Sequence, residues 1–412
     1  MSAPAGDSLE IRPRIEAAAD CHGCGARLEP QGLLWQGIHV CAEYRCAHCA
    51  AAFHEDLPIG HALQAPFRVD AQNRLTGGTP EAVSWFGEPL RRSLAQPDAS
   101  PVPFSVRTLR RCDSVVVLNC LDFLYGHGLL KLLNATRHLR DPAWGLVLIV
   151  PRFLEWMVPE GAAEVWTVDL PPGRMQNHYP DLHRRIAAEL ERFAKVRLSR
   201  AYSHPDGWDP RLYTRVPPHD FSAASFRATF VWRNDRLWQG DWSLSAFVGN
   251  AGFTAGMLQA LQRRKIVRVL ERLRAEVPEA TPTVAGVGRD GSFPSWIDDR
   301  RIDRPGDADA ERELCRTYAE SRVVVGVHGS NMLLASGHAG MCIDLMPESR
   351  WPNIAQDVLF PAGDAADADP RLSAFRRRFL PIGTAPGLVG EIAAGMIRKH
   401  AHVLRRFVTE RA

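Results

Sequence analysis

No stretch of this chain is long and apolar enough to cross a bilayer. The longest such run, 145–150, is closed at once by Pro151 and Arg152, far short of the roughly 20 residues a spanning helix needs. The first ten residues lack a basic start followed by an apolar run, so no secretory leader is read there. A cytoplasmic protein is expected, with peripheral membrane contact left open. Charge of one sign is equally scarce: 50 Lys and Arg face 47 Asp and Glu, a formal net charge of +3. That is too small to argue for a nucleic-acid partner. Basic clusters at 376–378 and 398–406 read as solvated helix faces. Internal repeats and low-complexity tracts are absent. Of nine cysteines, five fall between positions 21 and 49, which does not suggest a disulfide framework. What is present is an ordinary globular mix, 412 residues with 45% hydrophobic and 24% charged, enough for two or three domains with cores of their own.

The clustered cysteines form two short pairs, Cys21-His-Gly-Cys24 and Cys46-Ala-His-Cys49. Each pair fits a tight turn that sets two thiolates on one side, and two such turns close a tetrahedron around Zn²⁺. Gly25 follows the first pair, where a knuckle turn often needs positive φ. Residues 33–40 are apolar enough to form ribbon strands. Cys41, His22 and His48 stay open as substitute ligands. Four filled positions leave no place for water, so the metal is expected to be structural. Cys112, Cys120, Cys315 and Cys342 lie beside or within apolar runs and read as core packing.

Regular α/β alternation begins near 114. Apolar runs at 115–121, 145–150, 164–169 and 196–201 read as buried strands, with helices at 129–139 and 181–194 between them. The pattern restarts with strands at 228–232, 282–288, 322–327 and 341–346. Helices are expected at 252–276, 307–319 (capped by Asp307) and 386–409. The fold class is therefore α/β, with two Rossmann-like domains preceded by a small N-terminal zinc ribbon. The expected division is a zinc ribbon at 1–60, a linker at 61–112, a first Rossmann-like domain at 113–220 and a second at 221–412.

Three segments carry chemistry. In Val327-His328-Gly329-Ser330-Asn331 a buried strand ends in a small-residue turn that opens a helix. Free N–H groups there, with the macrodipole behind them, suit a phosphate, and Gly329 lets it approach. Beyond the next strand, Glu348 is preferred over Asp344 as a carboxylate for ribose hydroxyls. In Trp232-Arg233-Asn234-Asp235-Arg236, Arg233 stands at a strand end, able to fork onto phosphate or to pair with Asp235. In Tyr125-Gly126-His127-Gly128, read as a glycine-flanked turn, His127 is a candidate base, with Asp122 or Asp169 to orient it. Two Asp-x-Asp triplets, at 307–309 and 367–369, do not follow apolar strands, and neither reads as a metal clamp.

The stretch Val323 to Pro347 resembles the C-terminal motif of family 61-type glycosyltransferases, a His-Gly-Ala-Gly turn, an Asn in the helix, then a strand ending near Glu and Pro. Here the motif reads His328-Gly329-Ser330-Asn331, then Ile343-Asp344-Leu345-Met346-Pro347. Ser330 departs from the small residue, and Asp344 stands for the Glu. Phe230 to Arg236 looks like the strand-plus-Arg element of the same family. Gly126 to Asn134 is similar to the first turn of fucosyltransferase-type enzymes. The resemblance implies a GT-B fold and an inverting, metal-independent transfer from a nucleotide sugar to a glycan or glycolipid. It carries His328, Gly329 and Asn331 over as donor-site positions and Arg233 as a phosphate contact, and it identifies no base. The competing reading is a nucleotide- or polysaccharide-binding module without catalysis, its zinc ribbon recruiting a partner.

Overall fold

In a computed structural model of the chain, residues 6–203, 209–239, 252–303, 305–360 and 369–408 are described. They fall into two compact units, Met1–Pro205 and Asp206–Ala412.

In the first unit, β1 (Ser8–Arg12) is followed by a small hairpin, β2 (Ala19–Asp20) and β3 (Arg27–Leu28). A five-stranded antiparallel meander comes next: β4 (Gly32–Trp35), β5 (Val40–Arg45), β6 (Ala52–Asp56), β7 (Phe67–Asp70) and β8 (Leu75–Gly77). Then come β9 (Phe104–Thr108), β10 (Ser114–Asn119), β11 (Gly145–Pro151), β12 (Glu164–Val168) and β13 (Lys195–Ser199). The apolar runs of β10 and β11 are buried from end to end, as the interior strands of a parallel sheet require. These strands lie parallel in the order β13-β10-β11-β12, and β1 and β9 add antiparallel edges.

Two expectations need correction here. Residues 61–112 are not a plain linker, because they supply β7, β8 and the edge strand β9. The first 60 residues are not a separate bead either. β1 is hydrogen-bonded to β13, and Trp35, Val40, Tyr44 and Phe53 share one core with Val115, Ile149 and Trp166. Edge strands carry mixed polar sequences such as Phe-Ser-Val-Arg-Thr, which show no apolar run to read.

The second unit contains β14 (Phe226–Trp232), β15 (Ala280–Val287), β16 (Asp298–Ile302), β17 (Ser321–Val327), β18 (Cys342–Met346) and β19 (Arg377–Pro381). All pairings are parallel, in the order β16-β15-β14-β17-β18-β19. Numbered from the first strand of the unit this is 3-2-1-4-5-6, the doubly wound order of dinucleotide-binding sheets. Alternation along the strands divides the core between two faces. Phe230, Trp232, Val323 and Val325 pack against the helices Gly252–Glu276 and Pro386–Val408. Val231, Val324 and Cys342 pack against Ala308–Ala319 and Asn331–His338.

Asp307 caps its helix, accepting from the Asp309 and Ala310 amides, and Asp369 caps the helix Pro370–Arg376. Asp367 lies outside the described residues. The basic run 376–378 is not a solvated face. Arg376 and Arg377 are buried; Arg376 lies over the Phe221 ring and bonds His400, and Arg377 donates to the Gly340 carbonyl. Cys120, Cys315 and Cys342 are buried, and Cys112 is half-buried.

Burial holds His138 and His338 down at about 4, below the usual 6.5 of an unfolded chain. As pH falls, the unfolded state therefore takes up these protons first. The stability present above pH 6.5 is lost progressively toward pH 4, by up to about 3 kcal/mol for each group. We predict a melting temperature that falls between pH 7 and pH 5 and a shallower fall in His338→Gln; a flat profile in the wild type would contradict this.

Candidate functional site

The cysteine pairs fold into two matching knuckles. Cys21 and Cys24 sit between β2 and β3, Cys46 and Cys49 between β5 and β6. In each, the amide four residues after the first cysteine donates to that cysteine's carbonyl: Gly25 to Cys21 and Ala50 to Cys46. Both turn residues have positive φ, 72° at Gly25 and 56° at Ala50. Amides of Gly23 and Cys24 point at the Cys21 sulfur and hold its thiol down at about 6, and those of Cys49 and His48 lower Cys46. The four sulfurs lie within 4.8 Å of one another, with Cys21 to Cys49 at 3.4 Å and Cys24 to Cys46 at 3.5 Å. A tetrahedron with 2.3 Å Zn–S bonds has edges of about 3.8 Å, so the donor set fits such an ion. Cys41 is elsewhere, buried and donating to Asp56. His22 packs edge-on against Phe53. A Cys₄ shell is closed, so its contribution is to join two turns.

A second cluster stands just past the carboxyl end of β10. Asp122 is fully buried. Its Oδ2 lies 2.9 Å from Lys131 Nζ and 2.8 Å from His61 Nε2, and its Oδ1 lies 3.3 Å from His127 Nδ1. Burial would raise this carboxyl, but Lys131, His127 and His61 more than offset that and hold it well below the ordinary range. Burial also pushes His61 down to about 4, so His61 is neutral at pH 7. The three ligand-type groups of His61, Asp122 and His127 lie within 4.8 Å. Lys131 already neutralises the carboxylate, which favours proton chemistry over a cation.

Of the two partners considered for His127, Asp122 is the neighbour; Asp169 lies near Arg152. The expected turn at 125–128 is instead the first turn of a helix, Tyr125–Leu132. Gly128 serves packing, since a Cβ there would stand 3.1 Å from the Cys120 carbonyl. His61 was missed by sequence reasoning, because it sits in the supposed linker with no motif around it.

The third cluster lies in the second unit, at the carboxyl ends of β14 and β17, where the strand order reverses. Arg233 follows β14 and is buried. Its Nε and Nη2 fork onto Asp235 at 2.7 and 2.5 Å, and Nη1 donates to Asn331 Oδ1 at 2.7 Å. The fork is thus spent on Asp235 in a buried setting. Gly329 has φ 146°, and a Cβ there would collide with Arg233 Nη1 and stand 2.6 Å from Arg236 Nη1. Arg236 donates to the His328 carbonyl and is held down at about 9, first by burial and then by the charges of Arg233 and Arg350. It remains cationic at neutral pH, in a setting that an anion would relieve.

His328 is wedged between carboxylates, with Nδ1 2.8 Å from Asp344 Oδ2 and Nε2 3.2 Å from Asp357 Oδ2. Both ring nitrogens are occupied, so this histidine holds the turn in place. Asp344 is buried against it, and burial raises its carboxyl. The helix Asn331–His338 starts here with Ser330 at its cap position. Asn331 Nδ2 is buried without a hydrogen-bond partner. Glu348 is exposed at the start of the turn Glu348–Asn353. Arg236, Arg350 and Asp357 were not singled out in the sequence; Arg236 lay inside the quoted segment, and the other two carry no motif.

No family model matches the chain, and no curated protein matches it. Among solved structures, the dodecameric iron-containing heptosyltransferase TibC in complex with ADP-D-beta-D-heptose is 11% identical, over 74% of this chain and 80% of that one, with a TM-score of 0.27. The GtfA/B complex is 12% identical, over 90% of this chain and 68% of that one, with a TM-score of 0.25. Likenesses of this size carry no argument about the chain.

One metal ion per chain is the expected result of elemental analysis on protein purified without chelator, zinc or iron being the ions that suit four thiolates. Cys49→Ser should lose the metal and lower the melting temperature by at least about 5 °C, because Cys21 and Cys46 belong to the unit's main core. Metal-free wild type, or a variant melting like the wild type, would contradict this reading.

Proposed function

We propose that the chain is a glycosyltransferase of GT-B type, akin to family 61, which moves a sugar from a nucleotide-sugar donor to a hydroxyl of a glycan or glycolipid. The observation that carries the proposal is the third cluster. A 3-2-1-4-5-6 sheet reverses at β14 and β17, where ligands of such sheets bind. Gly329, the Arg233 and Arg236 guanidiniums and the unpartnered Asn331 Nδ2 meet there.

In this reading the second unit holds the donor diphosphate against the helix Asn331–His338. Arg236, helped by Arg233 and the helix dipole, offsets the charge that grows on the leaving phosphate, the role a divalent metal plays elsewhere. The first unit supplies the base. His127 turns Nδ1 toward Asp122, and Nε2 makes no hydrogen bond among the described residues. Nε2 takes the proton of the acceptor hydroxyl while that oxygen bonds to the anomeric carbon. The bond from that carbon to the diphosphate breaks, its electron pair leaves with the nucleoside diphosphate, and the configuration inverts. The metal at the four cysteines, zinc in this reading, is structural. The chain would act in the cytoplasm, with no nucleic-acid partner; among the described residues no helix is long and apolar enough to cross a membrane.

One observation favours the binding-module reading: the Arg233 fork is already closed on Asp235. Two variants separate the readings. One nucleotide family at about 100 times its Kd should add roughly 2.7 kcal/mol of stability, a rise of about 5 °C, without added magnesium. Arg236→Ala should abolish that shift. His127→Ala should keep it and lose transfer by about 100-fold or more. No shift with any nucleoside diphosphate would sink the transferase; a shift with no transfer in the wild type would leave the binding module.

A further inference from the structure

The transferase reading leaves unexplained a group of aromatic rings beside the His127 cluster. Residues Val83–Gly87 form a single π-helical turn ahead of the helix Glu88–Ala95. Such turns insert an extra residue, are rare, and concentrate at functional sites. This one is held on both sides. Gln176 Nε2 donates to the Trp85 carbonyl at 2.9 Å. Gly87 packs so closely on Phe67 and Leu75 that a Cβ there would stand 2.7 and 2.8 Å from their side chains.

The result is that Trp85 points outward, 46% exposed, with Leu124 also exposed nearby in sequence to Phe123. The rings form a continuous run. Trp85 lies 6.0 Å from Phe123, Phe123 meets Phe86 edge-on at 5.7 Å, and Phe86 stacks on His61 at 4.0 Å. Phe123 also meets His127 edge-on at 6.1 Å. An exposed tryptophan costs solubility and packs nothing, so a built turn that presents one needs a ligand.

The chemistry of that ligand is set by what adjoins the rings. One end of the run is the open face of Trp85. The other is the polar group of His61, His127, Asp122 and Lys131. A lipid tail would find charge at one end, and a flat protein surface would want a wider apolar area. A sugar ring matches both ends, because one face carries only C–H bonds and its rim carries hydroxyls. We propose that Trp85 and Phe123 form the acceptor subsite, stacking a saccharide ring so that one of its hydroxyls meets His127. The acceptor is therefore a carbohydrate, not a lipid or peptide hydroxyl. This rests on the transferase reading for its purpose and on the rings alone for binding.

The test is binding of the full-length protein to an array of defined oligosaccharides, with Trp85→Ala, Trp85→Phe and wild type side by side. The wild type should bind at least one glycan. Trp85→Ala should bind it at least tenfold more weakly, and Trp85→Phe should recover most of that loss. Melting shifts with nucleoside diphosphates should be equal in all three. Equal glycan binding by Trp85→Ala, no glycan bound by the wild type, or vesicle binding in place of glycan binding would each overturn the proposal. Trp85-dependent glycan binding without any nucleotide shift would keep the subsite and discard the transferase.

Discussion

Two neighbouring parallel strands, β14 and β17, end side by side, and the segments that follow them leave toward opposite faces of the sheet. The helix Gly252–Glu276 covers one face and Asn331–His338 the other. Neither can close the gap between the strand ends, so the backbone there stays open to a ligand. Everything proposed for the second unit follows from that opening. Arg233 and His328 are each the first residue past a strand, so they arrive at the same edge. Gly329 then makes room between two guanidiniums, as no residue with a Cβ would.

Charge at that edge is managed in two ways. Arg233 and His328 are matched with Asp235, Asp344 and Asp357, and so serve to build the turn. Arg236 is burdened by like charges and burial, and a bound anion would relieve it. Building and binding are thus divided among adjacent arginines. The first unit uses the same logic with the opposite sign. One buried carboxylate, Asp122, gathers Lys131, His61 and His127, and Lys131 cancels its charge so that the histidines need not be protonated. Its metal knuckles share the core of the sheet, so the metal, the sheet and the histidine cluster are parts of one folding unit.

Much of this was legible in the sequence where burial is complete. The runs of β10, β11, β14 and β17 are apolar because both faces are covered, and their ends marked Arg233 and His328. The four cysteines declared themselves by spacing. Edges did not: β16 reads Asp-Asp-Arg-Arg-Ile and β19 begins with two arginines, sequences indistinguishable from surface. Arg376 and Arg377 looked solvated because aromatic and carbonyl partners far along the chain are invisible locally. His61 and Trp85 were hidden for the same reason, lying in a stretch whose strands form only against distant partners. The glycines around His127 suggested a ligand turn, whereas the helix needs Gly128 to pack on Cys120.

The central claim is that the edge at β14 and β17 binds a diphosphate through donors now unpartnered. Asn331 tests it with one atom, since Oδ1 accepts from Arg233 while Nδ2 has no partner. Asn331→Asp keeps the acceptor and turns the donor into a carboxylate oxygen. Calorimetric titration with the nucleoside diphosphate that best stabilises the wild type should give an affinity at least tenfold lower in the variant, about 1.4 kcal/mol, with the free proteins melting alike. Equal affinity would mean that the nucleotide binds elsewhere.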